Sequence, residues 1–346
     1  MRKLSVVLLP VLGAAFLLAL EQPKIAPMPG AVSSNAVASL KNGLEVYSLM
    51  GIGPKKNWDD VTNQVYVFHL ASNKWSDGRP VPGVAGRLGA SAVGAKGHVF
   101  LFGGYVIDGQ GTELTVPDVN AYIPENRRWY RAADIPVPVD NAVIGLNHDR
   151  YIYLIGGHSK SGPVNNVQVY DIEKDAWTQA TAFPGTPVYG HAGGLADDTI
   201  VFVDGAKKNP TAGGPDVASD ECWMGKIDHK DPDKIEWSKL PTHPGTARFA
   251  IIAGAGERDH RFLFSGGTAK PHDFKGFDSD GKLAEVSTVT FAFDLHGNRW
   301  ESLTQETFDE RTDSRGILFT PIGPMIIGGL VKNGAVTARA VIVPKK

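Results

Sequence analysis

One cysteine, Cys222, is all that the 346 residues contain. That excludes an internal disulfide framework and any multi-cysteine metal site. An excess of charge of one sign is also lacking. The 35 basic and 37 acidic residues leave a formal net charge of −2. A nucleic-acid partner usually requires a basic excess, so none is expected. Beyond residue 20 no run is long and apolar enough to cross a bilayer. Reactive spacings are missing too. The ten histidines form no H-x-H or H-E-x-x-H pair. There is no phosphate-cradling G-x-x-x-x-G-K-[ST] and no G-x-S-x-G nucleophile turn. No metal and no cofactor is expected.

What is present is glycine and proline, 40 and 23 copies, in a chain with 42% hydrophobic and 21% charged residues. That composition is globular, and its breakers favour many short strands joined by turns. At the N-terminus, Arg2 and Lys3 precede an apolar run from Leu4 to Leu20 that holds Pro10 and Gly13. This reads as a cleaved signal peptide over residues 1–20 rather than a retained anchor. No cysteine follows it, which excludes a bacterial lipoprotein. Residues 21–346 are expected to form a single domain of a soluble, periplasmic or secreted protein, with no membrane segment beyond the signal.

The chain repeats. Apolar runs ending in paired glycines close at Gly103-Gly104, Gly156-Gly157, Gly266-Gly267 and Gly328-Gly329, with degenerate copies at Gly51-Ile52-Gly53 and Asp204-Gly205. After the copies at residues 51, 103, 156, 204 and 266 comes a strand-like segment and then a tryptophan. Trp75, Trp129, Trp177, Trp237 and Trp300 follow one another at 54, 48, 60 and 63 residues. The period is that of a propeller blade.

The double glycine, the Tyr170-Asp171 or Phe293-Asp294 dipeptide and the tryptophan about seven residues on resemble the kelch repeat. The resemblance implies an all-β, six-bladed kelch-type β-propeller. Its blades are expected at about 33–83, 84–137, 138–186, 187–245, 246–310, and 311–344 joined by 22–32. A seventh blade would need a cryptic unit between Lys270 and Glu285. The last blade lacks a tryptophan, and Val336 to Val343 supplies a third strand but no fourth. Gln22 to Pro29 looks like the missing outer segment, so pairing of the N- and C-terminal segments is expected to seal the ring and leave no open edge. The tryptophans are read as packing wedges between blades.

In such a meander the loops after the glycines share a face with the starts of the innermost strands. Asn35, Arg87, Asp140 or Asn141, Tyr189 with His191, Arg248 and Arg315 are then expected around one mouth. Arg87, Arg248 and Arg315 together would grip a carboxylate or phosphate. His158 and His272 lie on loops of the same face. The longest loops, about 206–221 and 268–285, elaborate one side of it.

Cys222 beside Trp223 invites comparison with galactose oxidase, a secreted propeller whose copper site needs a cysteine–tyrosine cross-link, a second tyrosine and two histidines. No tyrosine–histidine set accompanies Cys222, which belongs at the start of a third strand. A closer resemblance is to the exported N-acetylneuraminate epimerases (sialic acid mutarotases), carried by Gly190-His191, Arg87, Arg315 and the stretch Val203 to Lys208. It implies an anionic sugar held by arginines and a proton donor and acceptor, with no cofactor. That family's glutamate after the blade-four glycine is Ala206 here. Two functions are therefore open. One is a mutarotase in which His191 with Asp204 or Asp140 handles protons, while Arg87, Arg248, Arg315, Tyr189, His158 and His272 hold the sugar. The other is a non-catalytic propeller that presents its loops to a glycan or a protein.

Overall fold

The computed structural model describes residues 24–256, 260–303 and 310–343; the expected signal segment lies outside them. Short apolar runs between turns make five antiparallel four-stranded sheets and a sixth of three strands, with two-stranded ribbons beside them. In the first sheet Ala36–Leu40, Glu45–Leu49, Val65–His69 and Lys74–Asp77 pair in order from the axis outward. The other innermost strands are Ser91–Ala95, Val143–Asn147, Ala192–Ala196, Ile252–Gly256 and Leu318–Thr320. The chain is thus an all-β six-bladed propeller. Among the described residues, no helix is long and apolar enough to cross a membrane.

A blade cannot cover both of its own faces, so the cores lie between blades. Tyr47, Leu49 and Val65 of blade one pack on Val99, Leu101 and Tyr122 of blade two. Blades two to five repeat this pattern, with Phe102 and Tyr170, then Phe183 and Phe202, then Val203 and Phe264 at successive junctions. Ile252, Leu263, Ile317 and Ile326 join blades five and six. Val46 and Phe68 meet Met325, Ile327 and Met28 where blade one meets the last. Each fully buried aliphatic or aromatic side chain is worth roughly 1.5–3 kcal/mol.

The tryptophans do more than fill space. Each indole Nε1 donates to a carbonyl of the preceding blade: Trp129 to Arg79 (2.6 Å), Trp177 to Ala133 (2.9 Å), Trp237 to Thr181 (3.0 Å) and Trp300 to Pro241 (2.8 Å). Every acceptor lies four residues after the preceding tryptophan. Trp75 donates to Ala26 at 2.7 Å. Four residues before Ala26 stands Gln22, at the register of the tryptophan that blade six lacks. The N-terminal segment therefore takes the place of a blade-six outer connection.

A second ring of bonds confirms the count. The glycine at the second position of each turn donates its N–H to the carbonyl two residues before the next blade's left-handed turn. Gly51 bonds Arg87, Gly104 Val139, Gly157 Val188, Gly205 Arg248, Gly267 Arg311 and Gly329 Val32. The last bond crosses the termini and shuts the ring. Gly103 and Gly266 show why the residue before it is usually glycine. Both have positive φ, and a Cβ would land on the carbonyl oxygen of Val139 or Arg311.

The expected terminal pairing is present in a thinner form. Met28 N–H donates to Ala338 O (2.8 Å) and Val32 N–H to Thr337 O (3.4 Å), but residues 24–32 form no ladder strand. Pro27 and Pro29 have no N–H to donate, which limits ladder pairing. Met28 and Val32 are buried instead.

Candidate functional site

The six chain segments that enter the innermost strands form a collar around the axis. Ser34, Gly89, Asn141, Gly190, Ala250 and Asp313 occupy equivalent places, all with φ between 52° and 62°. Ser34 N–H donates to Asp313 O, Asn141 to Gly89, Gly190 to Asn141 and Ala250 to Gly190, at 2.7–3.0 Å. Above the collar, the loop after Thr268 crosses the axis. Its Phe274 packs with Ile52 and Val61 of blade one and with Leu88, Tyr105 and Ile107 of blade two, on the opposite side of the ring. Lys56 Nζ ties the loop down through Lys275 O (2.6 Å) and Gly334 O (3.0 Å). The mouth is capped.

The expected arginine trio does not converge there. Arg87 is 1% exposed and donates to Gly103 O (2.9 Å), Asp118 O (3.0 Å) and Asn120 Oδ1 (2.8 Å). Arg248 is 2% exposed and donates to Gly266 O (2.5 Å), Ser287 Oγ (3.1 Å) and Val289 O (3.3 Å). Both satisfy backbone carbonyls left over at the glycine turn of their own blade. The third member of this set is Arg311, which donates to Gly328 O (2.8 Å) and Arg339 O (3.2 Å). Spacing to the acceptor glycine, 16, 18 and 17 residues, identifies Arg311 rather than Arg315 as the equivalent. Burial lowers the Arg87 guanidinium to about 10, still a cation at neutral pH.

Arg315 sits on the axis and faces Asp313 Oδ1 at 3.3 Å. Beneath the cap the structure gathers Asp140, His158, Tyr189, His272 and Arg315 with Asp313, Glu113 and Tyr105. Asp140 accepts from Thr115 Oγ1 (2.7 Å) and Asn141 Nδ2 (2.6 Å), and its backbone bridges to His158. The His158 and Tyr189 rings meet at 4.9 Å, and Tyr189 donates to Asp216 Oδ2 at 3.2 Å. His272 packs edge-on to Phe249 at 5.2 Å. Burial raises Asp140 and Asp313, with Arg315 opposing in both cases. Glu113 keeps part of its surface in solvent. It is lifted to about 7 by the protein around it and by Asp140 and Asp273. Three acids, each biased by its surroundings toward the neutral form, surround one arginine, so the site lacks the converging cations of an anion trap.

His191 and Asp204 do not form a proton-handling pair. The His191 ring packs edge-on to Phe202 at 5.2 Å and sits against Gly156 of the preceding blade. Burial pushes it down to about 3, so it is neutral at physiological pH. Asp204 points away from the axis into the junction of blades four and five. Its oxygens lie 2.9 Å from His243 Nε2, and Oδ2 accepts from Arg248 N–H (2.9 Å). Below the collar a channel of about 530 Å³ runs along the innermost strands to Asn42 and Pro321 at the far turns. Backbone and small side chains such as Gly145, Gly193 and Gly254 line most of it.

His191 predicts acid sensitivity. Its folded pKa lies below the ordinary 6.5, so its neutral form contributes stability above pH 6.5 that is lost as pH falls toward 3. Acidification from 6.5 to about 4 is expected to remove about 3 kcal/mol through this group. Denaturant unfolding of the native protein and His191→Leu at both pH values checks it. The stability difference between them should shift in favour of the variant by that amount at the lower pH.

Asp313, Glu113, Arg311 and His243 were not apparent as site residues from the sequence. Arg311 alone had a signal there, its spacing to Gly328. The others depend on which loops meet.

The architecture has known counterparts. A solved structure described as that of YjhT superposes with a TM-score of 0.74, covering 93% of this chain and 97% of that one at 18% identity. Kelch-like protein 34 of Homo sapiens is 27% identical over 208 residues, 57% of this chain and 31% of that protein. Kelch-like protein 38 of Rattus norvegicus is 29% identical over 133 residues, 38% of this chain and 22% of that protein. The match therefore spans about a third or less of these relatives' length. Residues 37–267 match the family described as the KLHDC2/KLHL20/DRC7 Kelch-repeats domain, more than half of the sequence. Together with six sheets closed into one ring, this match places the chain in the kelch-repeat family.

Proposed function

We propose that this propeller is an exported binding module that docks a protein partner on its capped loop face. The observation that carries the reading is the distribution of exposed apolar side chains. Of seven exposed large apolar side chains among the described residues, Trp58 (52%), Leu114 (57%), Phe277 (41%) and Leu283 (40%) lie on the loop face of blades one, two and five, while Leu44, Tyr130 and Ile322 are elsewhere. Trp58 flanks a groove with Asn57, Gly111, Phe274 and Lys275. Lys56 stands over the Phe277 ring at 5.7 Å. Exposed aromatic and apolar groups with a polar rim suit a protein interface, and tryptophan is a common anchor in one. The inward-turned Arg87 and Arg248 favour this over capture of an anionic sugar. Residues 1–20 supply the export signal, and mass spectrometry of the secreted or periplasmic protein should find them removed.

A photo-crosslinking residue at Trp58 should capture a defined partner in the exported fraction, and one at Leu44 on the opposite face should not. Trp58→Ala should weaken binding of that partner by tenfold or more. Capture from Leu44 alone would overturn the proposed face. Faster equilibration of sialic acid anomers in NMR with the protein present would restore the mutarotase.

A further inference from the structure

Blade four departs from its sister blades at three equivalent places, and the departures meet. The residue after the second strand is Gly103, Gly156, Gly266 or Gly328 in four sister blades and Met50 in blade one, but here it is Asp204, held at φ 61°. The first residue of the third strand is Val65, Val119 or Val167 in blades one to three and Cys222 here. The residue six after the blade tryptophan is Val81, Ile135 or Phe183 there and His243 here. In the sister blades these places pack as apolar cores. They also face one another: a Cβ on Gly103 would stand 3.1 Å from Ile135 Cδ1. In blade four, carboxylate, thiol and imidazole replace glycine and two hydrocarbons. One ligand atom from each lies within 4.8 Å of the others.

The hydrogen bonding asks for a positive charge at this point. His243 Nδ1 lies 2.9 Å from Pro244 O, an acceptor only, so the ring N–H belongs there. Nε2 then turns its lone pair toward both oxygens of Asp204 at 2.9 Å each. Two lone-pair groups do not stay at that separation unless a proton or a cation lies between them. The Asp204 and His243 side chains are 0% and 2% exposed, so water does not relieve the repulsion. An imidazole whose other nitrogen donates to a backbone carbonyl is the usual form of a metal-binding histidine.

We propose that Asp204, Cys222 and His243 bind one zinc ion, which clasps the root of the blade-four loop to the junction with blade five. Mixed thiolate, imidazole and carboxylate ligands suit zinc rather than calcium or magnesium. Asp204 and Cys222 are the two feet of the loop from 205 to 221, since Val203 pairs with Cys222. His243 belongs to the segment leading into blade five and stacks on Phe291 of that blade at 4.3 Å. One ion therefore joins three segments that otherwise meet only through packing and hydrogen bonds.

The test is elemental analysis of the native protein, purified without a polyhistidine tag or chelator. One zinc per chain is expected, and none in Cys222→Ser. Cobalt added to metal-stripped protein should give a thiolate-to-cobalt charge-transfer band that Cys222→Ser lacks. Chelator should lower the melting temperature of the native chain by several degrees. It should leave unchanged that of the triple variant Asp204→Gly, Cys222→Val, His243→Phe, which carries the sister-blade residues. If stripped protein takes up neither metal at micromolar concentration and melts as before, the charge is a shared proton and the proposal fails. Should the triple variant not fold, the cobalt band decides alone.

Discussion

Deleting residues 24–32 is expected to abolish the cooperative fold. The segment buries Met28 and Val32, accepts the Trp75 indole bond at Ala26 and supplies the carbonyl to which Gly329 donates. Without it blade six exposes Met325, Ile327, Ala340 and Ile342 on its outer side, and blade one exposes Val46 and Phe68. Loss of Met28 alone, as Met28→Ala, should cost about 2–5 kcal/mol. Loss of the whole segment opens a ring whose blades hold only their neighbours, and an open ring leaves sheet edges free to aggregate. Circular dichroism melts and dye binding to exposed apolar surface check it. A truncated chain that melts as one cooperative unit near the temperature of the full chain would show that blade six closes without help.

The second large effect is expected at Arg87. Its guanidinium holds two carbonyls and the Asn120 amide oxygen in a site that is 1% exposed. Arg87→Ala strands these acceptors away from water. Hydrogen bonds to a buried charge contribute about 1.5–3 kcal/mol each, and stranded partners add a desolvation cost. A destabilisation of about 3–5 kcal/mol follows from the lost bonds and the stranded acceptors. Arg315→Ala breaks an ion pair at 3.3 Å with buried Asp313, but burial already biases that carboxyl toward its neutral form, so the variant should cost less. Denaturant unfolding of both variants separates the cases. An Arg87→Ala protein of native stability but weakened ligand binding would return this arginine to the mouth and refute its assigned role.

Much of the fold was legible because a propeller writes the same instruction repeatedly. Six glycine turns and five tryptophans at near-constant spacing identify the blades, since each blade must meet the next in the same way. The site was less legible. Arg87 and Arg248 look alike as mouth residues and as clamps on carbonyls. Only the position of Gly103 O and Gly266 O within reach of their guanidinium groups decides for the clamp. The mistaken alignment of Arg315 with them shifted one arginine by four residues, from a buried slot to the axis. The cap was hidden for another reason. The length of the loop after Thr268 was visible, but its contact with Leu88 and Tyr105 depends on ring geometry that no local pattern encodes.

The order of residues by itself determined the strand period, the number of blades and the need for an N-terminal segment to finish the last one. These follow from local spacing and from apolar faces that require cover. Tertiary structure alone decided that the mouth is capped, that Arg87 and Arg248 turn away from it, and that Asp204 meets Cys222 and His243 instead of His191. Those outcomes rest on contacts between segments far apart in the chain. Their partners are chosen by the closure of the ring, and neither spacing nor composition specifies them.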